Sequence, residues 1–236
     1  MFKAVYVARF RADKPREEAR HHWTYVHGPM ADALPDMRRY VQNHVVGAIG
    51  AQGLRDGAVG FDGYACESWT DQAAFDAGME TEAWATIVDD GPVLFDVDSL
   101  DGMCASVQER VIIDGPTSPY KVVWFARFKP GMDAADAAAH WLDVHAPIAC
   151  RAPGIDRYVQ NLVVGPIAGG DHVAFDGFSE CWYADEAAYV RSQESAAWDE
   201  LREDGGTFLD MAGLEGMSAV VEERVIKDWQ AQDARV

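Results

Sequence analysis

The sequence predicts an α+β chain in which one β-α-β-β-α-β unit is used twice, the two copies packed sheet to sheet. Two observations predict it. The string His22-Trp23-Thr24-Tyr25-Val26-His27-Gly28-Pro29 returns as His140-Trp141-Leu142-Asp143-Val144-His145-Ala146-Pro147, and Arg39-Tyr40-Val41-Gln42-Asn43 returns as Arg157-Tyr158-Val159-Gln160-Asn161, both 118 positions later. In addition, β-branched and aromatic runs alternate with helical stretches in the same order in both copies.

The first unit spans residues 1–114. Lys3 to Phe10 read as a strand. Asp13, Lys14 and Pro15 make a turn, and Pro15 with Glu17 and Glu18 suits the start of a helix, where the backbone N–H groups are unpaired and negative charge is favoured. That helix covers 16–27 and stops at Gly28-Pro29. A loop with Pro35 leads to a strand over 38–47, a glycine-rich connection over 50–60 and a strand over 61–69. Asp71 caps a helical stretch over 72–78, a second follows over 81–90, and a strand covers 103–112. Residues 115–119 are a linker. The second unit, 120–228, repeats the series: strand 121–128, helix 134–145, strands 156–165 and 173–182, helices 186–203 and strand 216–226. Phe61-Asp62-Gly63 recurs as Phe175-Asp176-Gly177, Trp84 as Trp198 and Glu109-Arg110 as Glu223-Arg224. The tail, 229–236, is polar and expected to be loose.

This order is the ferredoxin-like unit, a four-stranded antiparallel sheet with both helices on one face. Its other face needs cover, and the second copy supplies it. The expectation is a fused dimeric α/β barrel with a cavity between the two sheets.

Composition narrows the function classes. The chain has 236 residues, 49% of them hydrophobic and 25% charged, which suits a globular protein with a packed core. Thirty-nine acids against 20 bases give a net charge of −19, which repels duplex nucleic acid and anionic membranes. Cysteines 66, 104, 150 and 181 form neither a CxxC pair nor a disulfide framework. No basic-then-apolar leader opens the sequence, and no apolar run nears the ~20 residues of a bilayer span, so the expected location is cytoplasmic. Dinucleotide, Walker and nucleophile-elbow motifs are absent, so no cofactor is expected.

The candidate chemistry lies in the repeated strings. Trp23 and His27, and Trp141 and His145, are four apart and share a helix face. Each His is either a pocket acid/base, titrating near neutrality, or a ring bonded to the helix C-terminus. His22 and His140 lie five residues earlier, off that face. His-x4-His is a poor metal pair, so no metal is expected and these two read as surface or first-strand contacts. In the following strands, alternation groups Tyr40 with Gln42 and His44, and Tyr158 with Gln160. These polar rows suit a wet cavity, whereas Val41, Asn43 and Val45 suit a helix-covered face. Tyr40 and Tyr158 can hydrogen-bond a developing oxyanion or sit as amphipathic interface residues. Cys181 is a nucleophile if an imidazole is close, and otherwise a small hydrophobe. Arg9 and Arg127 can clamp a substrate carboxylate or pair with an acid. Trp23, Trp141 and the other tryptophans suit an aromatic-lined cavity.

The helix-ending His-Trp-x-x-Val-His-(Gly/Ala)-Pro, the strand Arg-Tyr-Val-Gln-Asn and the Asp-Gly strand ending at Glu-x-Trp together resemble the EthD-like family of dimeric α/β-barrel proteins, over nearly the whole of both halves. On His145, Tyr158 and Glu180-Cys181-Trp182, the second half is similar to methylmuconolactone isomerase. In the first half Glu67-Ser68-Trp69 sets Ser68 opposite Cys181, a pairing that a one-residue shift would change. The resemblance implies a homodimer-like pair fused in one chain, with further dimerisation possible. It also implies cofactor-independent isomerase, cyclase or lyase chemistry on a small hydrophobic or aromatic carboxylated compound. His145 and His27 would be the acid/base groups, Tyr158 and Tyr40 the oxygen-orienting donors, and Cys181 a helper. Trp141, Trp23, Gln160, Gln42, His44, Arg127 and Arg9 would line the substrate. The alternatives are an accessory protein that binds a hydrophobic metabolite beside an oxygenase, and a cofactor-free monooxygenase.

Overall fold

The computed structural model describes residues 1–50, 52–210, 212 and 216–228; the tail expected to be loose lies outside them. In chain order the first half comprises β1 (Phe2–Ala8), α1 (Arg16–His22), a π-helical turn (Trp23–His27), α2 (Gly28–Met30), β2 (Met37–Gly50), β3 (Gly53–Arg55), β4 (Gly63–Trp69), α3 (Gln72–Met79), α4 (Glu82–Leu94) and β5 (Cys104–Ile113). The second half comprises β6 (Tyr120–Ala126), α5 (Ala134–His140), a second π-helical turn (Trp141–His145), α6 (Ala146–Ala149), β7 (Ile155–Pro166), β8 (Gly177–Tyr183), α7 (Glu186–Gln193), α8 (Ala196–Phe208) and β9 (Ser218–Asp228). Asp71 caps a helix start as the sequence suggests, and three further side chains do the same. Asp71 and Thr81 accept from the N–H groups of Ala74 and Trp84, and Asp185 and Ser195 do the same for Ala188 and Trp198. Three features depart from the sequence reading. The helix over 16–27 changes winding at Trp23. It does not stop at Gly28-Pro29 but runs on through Met30, because Pro29 sits in the first turn of the new α-helical segment, where its missing N–H costs no bond. A short strand, β3, forms inside the glycine-rich connection and pairs with the end of β2.

All strand pairs are antiparallel. The four strands β2-β4-β1-β5 continue through β5–β7 into β7-β8-β6-β9, and β9 pairs back onto β2, closing an eight-stranded barrel with β3 appended outside it. Closure leaves no exposed edge in the barrel, which removes the usual liability of a long apolar edge strand. The helices lie outside the barrel wall. None of the described helices is long and apolar enough to cross a membrane.

Alternation along each strand sends one set of side chains into the barrel and the other towards the helices. Val5, Val7, Val45, Tyr64, Val107, Val123, Phe125, Phe178 and Val221 from both halves fill one end of the interior. The other end is polar. Lys121 Nζ donates to Asn43 Oδ1 at 2.7 Å and pairs with Glu223 and Glu180 at 2.7 Å each. Lys3 Nζ donates to Asn161 Oδ1 at 2.8 Å and to Glu109 Oε2 at 2.5 Å. These groups line a chamber of about 400 Å³ between the sheets.

This arrangement reverses one expectation. Val41, Asn43 and Val45 point into the barrel, and the Tyr40-Gln42-His44 and Tyr158-Gln160 rows point at the helices. The reason lies in the polar partners. The barrel offers Asn43 and Asn161 a lysine each, while the helix layer offers the two glutamines a free carbonyl.

Candidate active site

In both halves the site begins at the π-helical turn. The Gly28 N–H donates to Trp23 O, five residues back, and the Ala146 N–H does the same to Trp141 O. Winding with an i→i+5 bond brings residues five apart onto one face, and such turns recur at functional sites. His22 and His27 therefore meet, as do His140 and His145. His22 Nε2 lies 3.0 Å from Asp90 Oδ1, and His27 Nδ1 lies 2.8 Å from Asp90 Oδ2. In the second half His140 Nε2 is 2.8 Å from Asp204 Oδ1, and His145 Nδ1 is 2.7 Å from Asp204 Oδ2. The expectation that His22 and His140 are surface or first-strand contacts fails because it assumed α-helical winding. The two aspartates were missed altogether. The signal that could have found them is the recurrence of Asp90-Gly91 as Asp204-Gly205.

Each carboxylate fixes two imidazoles. A neutral His145 that donates Nδ1–H to Asp204 has its lone pair on Nε2, and among the described residues Nε2 has no hydrogen bond. Burial lowers the pKa of His145 below the ordinary histidine value, against the opposing pull of Asp204. His27 is shifted the same way for the same reason, with Asp90 opposing. Both rings are thus set up as neutral bases at neutral pH. Among the described residues no three His, Cys, Asp or Glu side chains are grouped to hold a metal ion.

The glutamines tie the π-turns to the sheet. Gln160 Nε2 donates to Trp141 O at 3.1 Å and to Tyr158 Oη at 2.8 Å; Gln42 Nε2 donates to Trp23 O at 2.8 Å and to Tyr40 Oη at 3.1 Å. Trp23 Nε1 also donates to Tyr40 Oη at 3.2 Å. Burial pushes the Tyr158 and Tyr40 hydroxyls well above the usual tyrosine range, so both stay protonated. Because the phenol oxygens already accept hydrogen bonds, their own protons point away from the glutamines and can be donated. Glycine makes the tryptophan fit: a Cβ on Gly177 would come within 2.6 Å of the Trp141 ring, and one on Gly63 within 2.6 Å of the Trp23 ring.

In the second half these groups enclose a cavity of about 370 Å³ between sheet and helices. Tyr158, Cys181, Ser179 and Trp124 form its floor; Trp141, His145, Trp198 and Leu201 form its roof; Ile49 and Gly50, from the first half, close one side. Tyr189 Oη donates to Gly50 O at 3.0 Å and holds that side in place. The volume lies within the range of small-ligand pockets. This cavity lies outside the barrel wall; the cavity expected between the sheets is the separate polar chamber lined by Lys3 and Lys121.

The structure brings Trp141, His145, Tyr158 and Cys181 to the cavity, with Gln160 behind Tyr158. Cys181 is buried and its thiol is pushed up by burial and by Glu180, so it is a thiol and not a thiolate at neutral pH. Arg9 and Arg127 are elsewhere. Arg9 Nη2 donates to Gly60 O at 2.7 Å, and Arg127 Nε donates to Ala174 O at 3.1 Å, so both staple loops. The guanidinium at the cavity is Arg202, which sequence reading passed over. His44, present only in the first half, packs at a tilt against Trp23 with ring centroids 4.6 Å apart and bonds Gln42 Oε1 at 3.0 Å. Burial, aided by Arg20, Arg224 and Arg16, drives its pKa down to about 3, which leaves it neutral.

Strand register settles the pairing of the two walls. Tyr40 faces Glu67 and Tyr158 faces Cys181. Glu67, not Ser68, therefore stands where Cys181 stands; Cys66 corresponds to Glu180.

Comparison with known proteins agrees with this architecture. An anthrone oxidase-like protein superposes with TM-score 0.62 at 9% identity, covering 97% of this chain and 94% of its own. A "putative monooxygenase" from Fusobacterium nucleatum gives TM-score 0.56 at 13% identity, covering 96% and 92%. A second protein so described, from Lactobacillus acidophilus, gives TM-score 0.51 at 13% identity, covering 97% and 95%. At these identities the likeness is one of fold. No curated protein matches the chain. The EthD domain model matches twice, at residues 11–98 and 129–212, one match in each half and together most of the chain, and the chain therefore belongs to the EthD domain family.

Proposed function

We propose that the chain is a fused dimer of one ferredoxin-like unit, and that its second half is a cofactor-independent isomerase, cyclase or lyase that moves a proton on a small aromatic or lactone-type metabolite. The observation that carries this reading is His145, held by Asp204 through Nδ1 in the wall of an aromatic cavity that also presents Tyr158. Nε2 takes a proton from a carbon next to a carbonyl. The C–H electron pair moves into the new carbon–carbon double bond as the carbonyl π pair moves onto oxygen, and the Tyr158 O–H donates a hydrogen bond to that oxygen. The imidazolium is stabilised by Asp204 and returns the proton at another position, or the oxygen expels a leaving group. Nothing is oxidised or reduced. His27 and Tyr40 are the matching pair in the first half. Arg202, not Arg127, is the group that would meet a substrate carboxylate.

The test uses deuterium. Unsaturated γ-lactones and phenols are incubated with the protein in D2O without dioxygen, and carbon-bound deuterium is followed by NMR. The reading expects wash-in that is lost in His145→Ala. Turnover only in the presence of dioxygen would favour the monooxygenase alternative, and binding with no exchange would favour the accessory-protein one.

A further inference from the structure

Glu67 is a buried acid that the mechanism above leaves unused. It is 6% exposed. Among the described residues its one hydrogen bond comes from Trp69 Nε1, 3.1 Å from Oε2, and none of their cations pairs with it. It sits on the helix-facing side of the first sheet, at the register position of Cys181. Around it on the same face, Tyr6 Oη is enclosed without a hydrogen-bond partner, and Tyr40 Oη accepts two hydrogen bonds but finds no acceptor for its own proton among the described residues. Three buried polar groups thus converge without satisfying one another, which in a native protein calls for a reason. The duplicated scaffold supplies one. His27 on Asp90 and Tyr40 on Gln42 repeat the frame of the second-half cavity, and Ile167 from the second half packs over the first as Ile49 does over the second.

We infer that the first half holds a second acid/base site, built on Glu67 with Tyr40 and His27, which binds a compact aromatic or lactone-type molecule by donating a carboxyl hydrogen bond to its carbonyl oxygen. The ligand class rests on the reading of the second-half site; the site itself does not. Burial pushes the Glu67 carboxyl up to about 7, against the Trp69 N–H, so the group is a donor in mildly acidic solution and an acceptor-only anion above neutrality. The titratable groups that feel its charge are Tyr6 on β1, Tyr40 on β2 and Cys104 on β5; the covering helices bring the His27–Asp90 pair.

The experiment is a calorimetric titration with coumarin, an aromatic lactone, at pH 6 and pH 8, on wild type, Glu67→Gln and His145→Ala. The expected result is two bound molecules per chain at pH 6. One of the two should weaken about tenfold at pH 8, as the neutral carboxyl falls from roughly nine-tenths to one-tenth of the population. Glu67→Gln should abolish that pH dependence, and His145→Ala should keep it whether or not His145 is catalytic. The absence of any binding event that weakens from pH 6 to pH 8, or a pH dependence that survives in Glu67→Gln, would overturn the inference, whereas a single event that depends on Glu67 would leave the site standing and count only against the second-half cavity. Should Glu67→Gln not fold, infrared difference spectra of wild type read the same group: a protonated-carboxyl band at pH 6 that shifts when coumarin is added supports the site, and a band indifferent to coumarin overturns it.

Discussion

The two halves of this protein share a frame and differ in what fills it. The His-Asp-His fork, the π-turn carbonyl held by a glutamine, and the glycine under a tryptophan occur in both, at matching atoms and within a few tenths of an ångström. The walls diverge. Tyr6, Glu67, Phe75 and Met79 in the first half stand where Trp124, Cys181, Tyr189 and Gln193 stand in the second. The barrel interior differs as well, where Val7, Tyr64, Cys66 and Ser68 stand at the positions of Phe125, Phe178, Glu180 and Trp182. Duplicated geometry therefore marks the frame that the two halves share, and divergent residues mark where the space around that frame differs.

Breaking the interior at the position that carries a charge in only one half should have the largest effect. Glu180 is held down to about 2 because Lys121 and Lys3 outweigh its burial. Glu180→Ala removes one of the two carboxylates that pair with the buried Lys121, and with it the acceptor of Tyr64 Oη and Asn161 Nδ2, and should cost about 3–5 kcal/mol by denaturant unfolding, whereas Cys66→Ala, at the matching position, should cost about 1 kcal/mol. A depressed carboxylate stabilises the fold above its unfolded pKa and loses that contribution as pH falls. Wild type should therefore lose stability from about pH 4.5 down to about 2, and Glu180→Ala should lack that loss.

The glutamines sharpen the comparison next. Gln160→Leu and Gln42→Leu each strip a donor from a π-turn carbonyl and from a tyrosine oxygen. Each should cost roughly 1–3 kcal/mol. Equal losses would confirm that the frame is duplicated energetically as well as geometrically.

A smaller effect separates the histidines. Asp204→Asn removes the group that opposes burial at His145, so the titration of His145, followed by NMR, should move to lower pH while that of His27 stays put. An unmoved His145 would mean that Asp204 does not set its protonation.

The smallest effect should come from Arg9→Lys and Arg127→Lys. Their guanidinium groups bond loop carbonyls, so each should change stability by about 0.5 kcal/mol and leave coumarin binding unchanged.

Much of this was legible in the sequence. The repeat located both strands and helices, and His145, Tyr158 and Trp141 surfaced because they recur. The π-turn was not legible: His-x4-His has no meaning under α-helical winding, so Asp90 and Asp204 lacked a visible partner. The inward face of β2 was misread because its two polar candidates, Gln42 and Asn43, are adjacent. Only the unseen carbonyl of Trp23 and the amine of Lys121 decide which turns in. Arg9 and Arg127 recur for a structural reason, which shows that recurrence alone does not separate a site from its scaffold.

The most direct test of the central claim is to measure coumarin binding and deuterium exchange together on His145→Ala. The account predicts that the second-half cavity still binds within a few-fold of wild type while exchange falls by about 10²–10⁴. Exchange that persists at the wild-type rate, with the variant folded and binding, would contradict it.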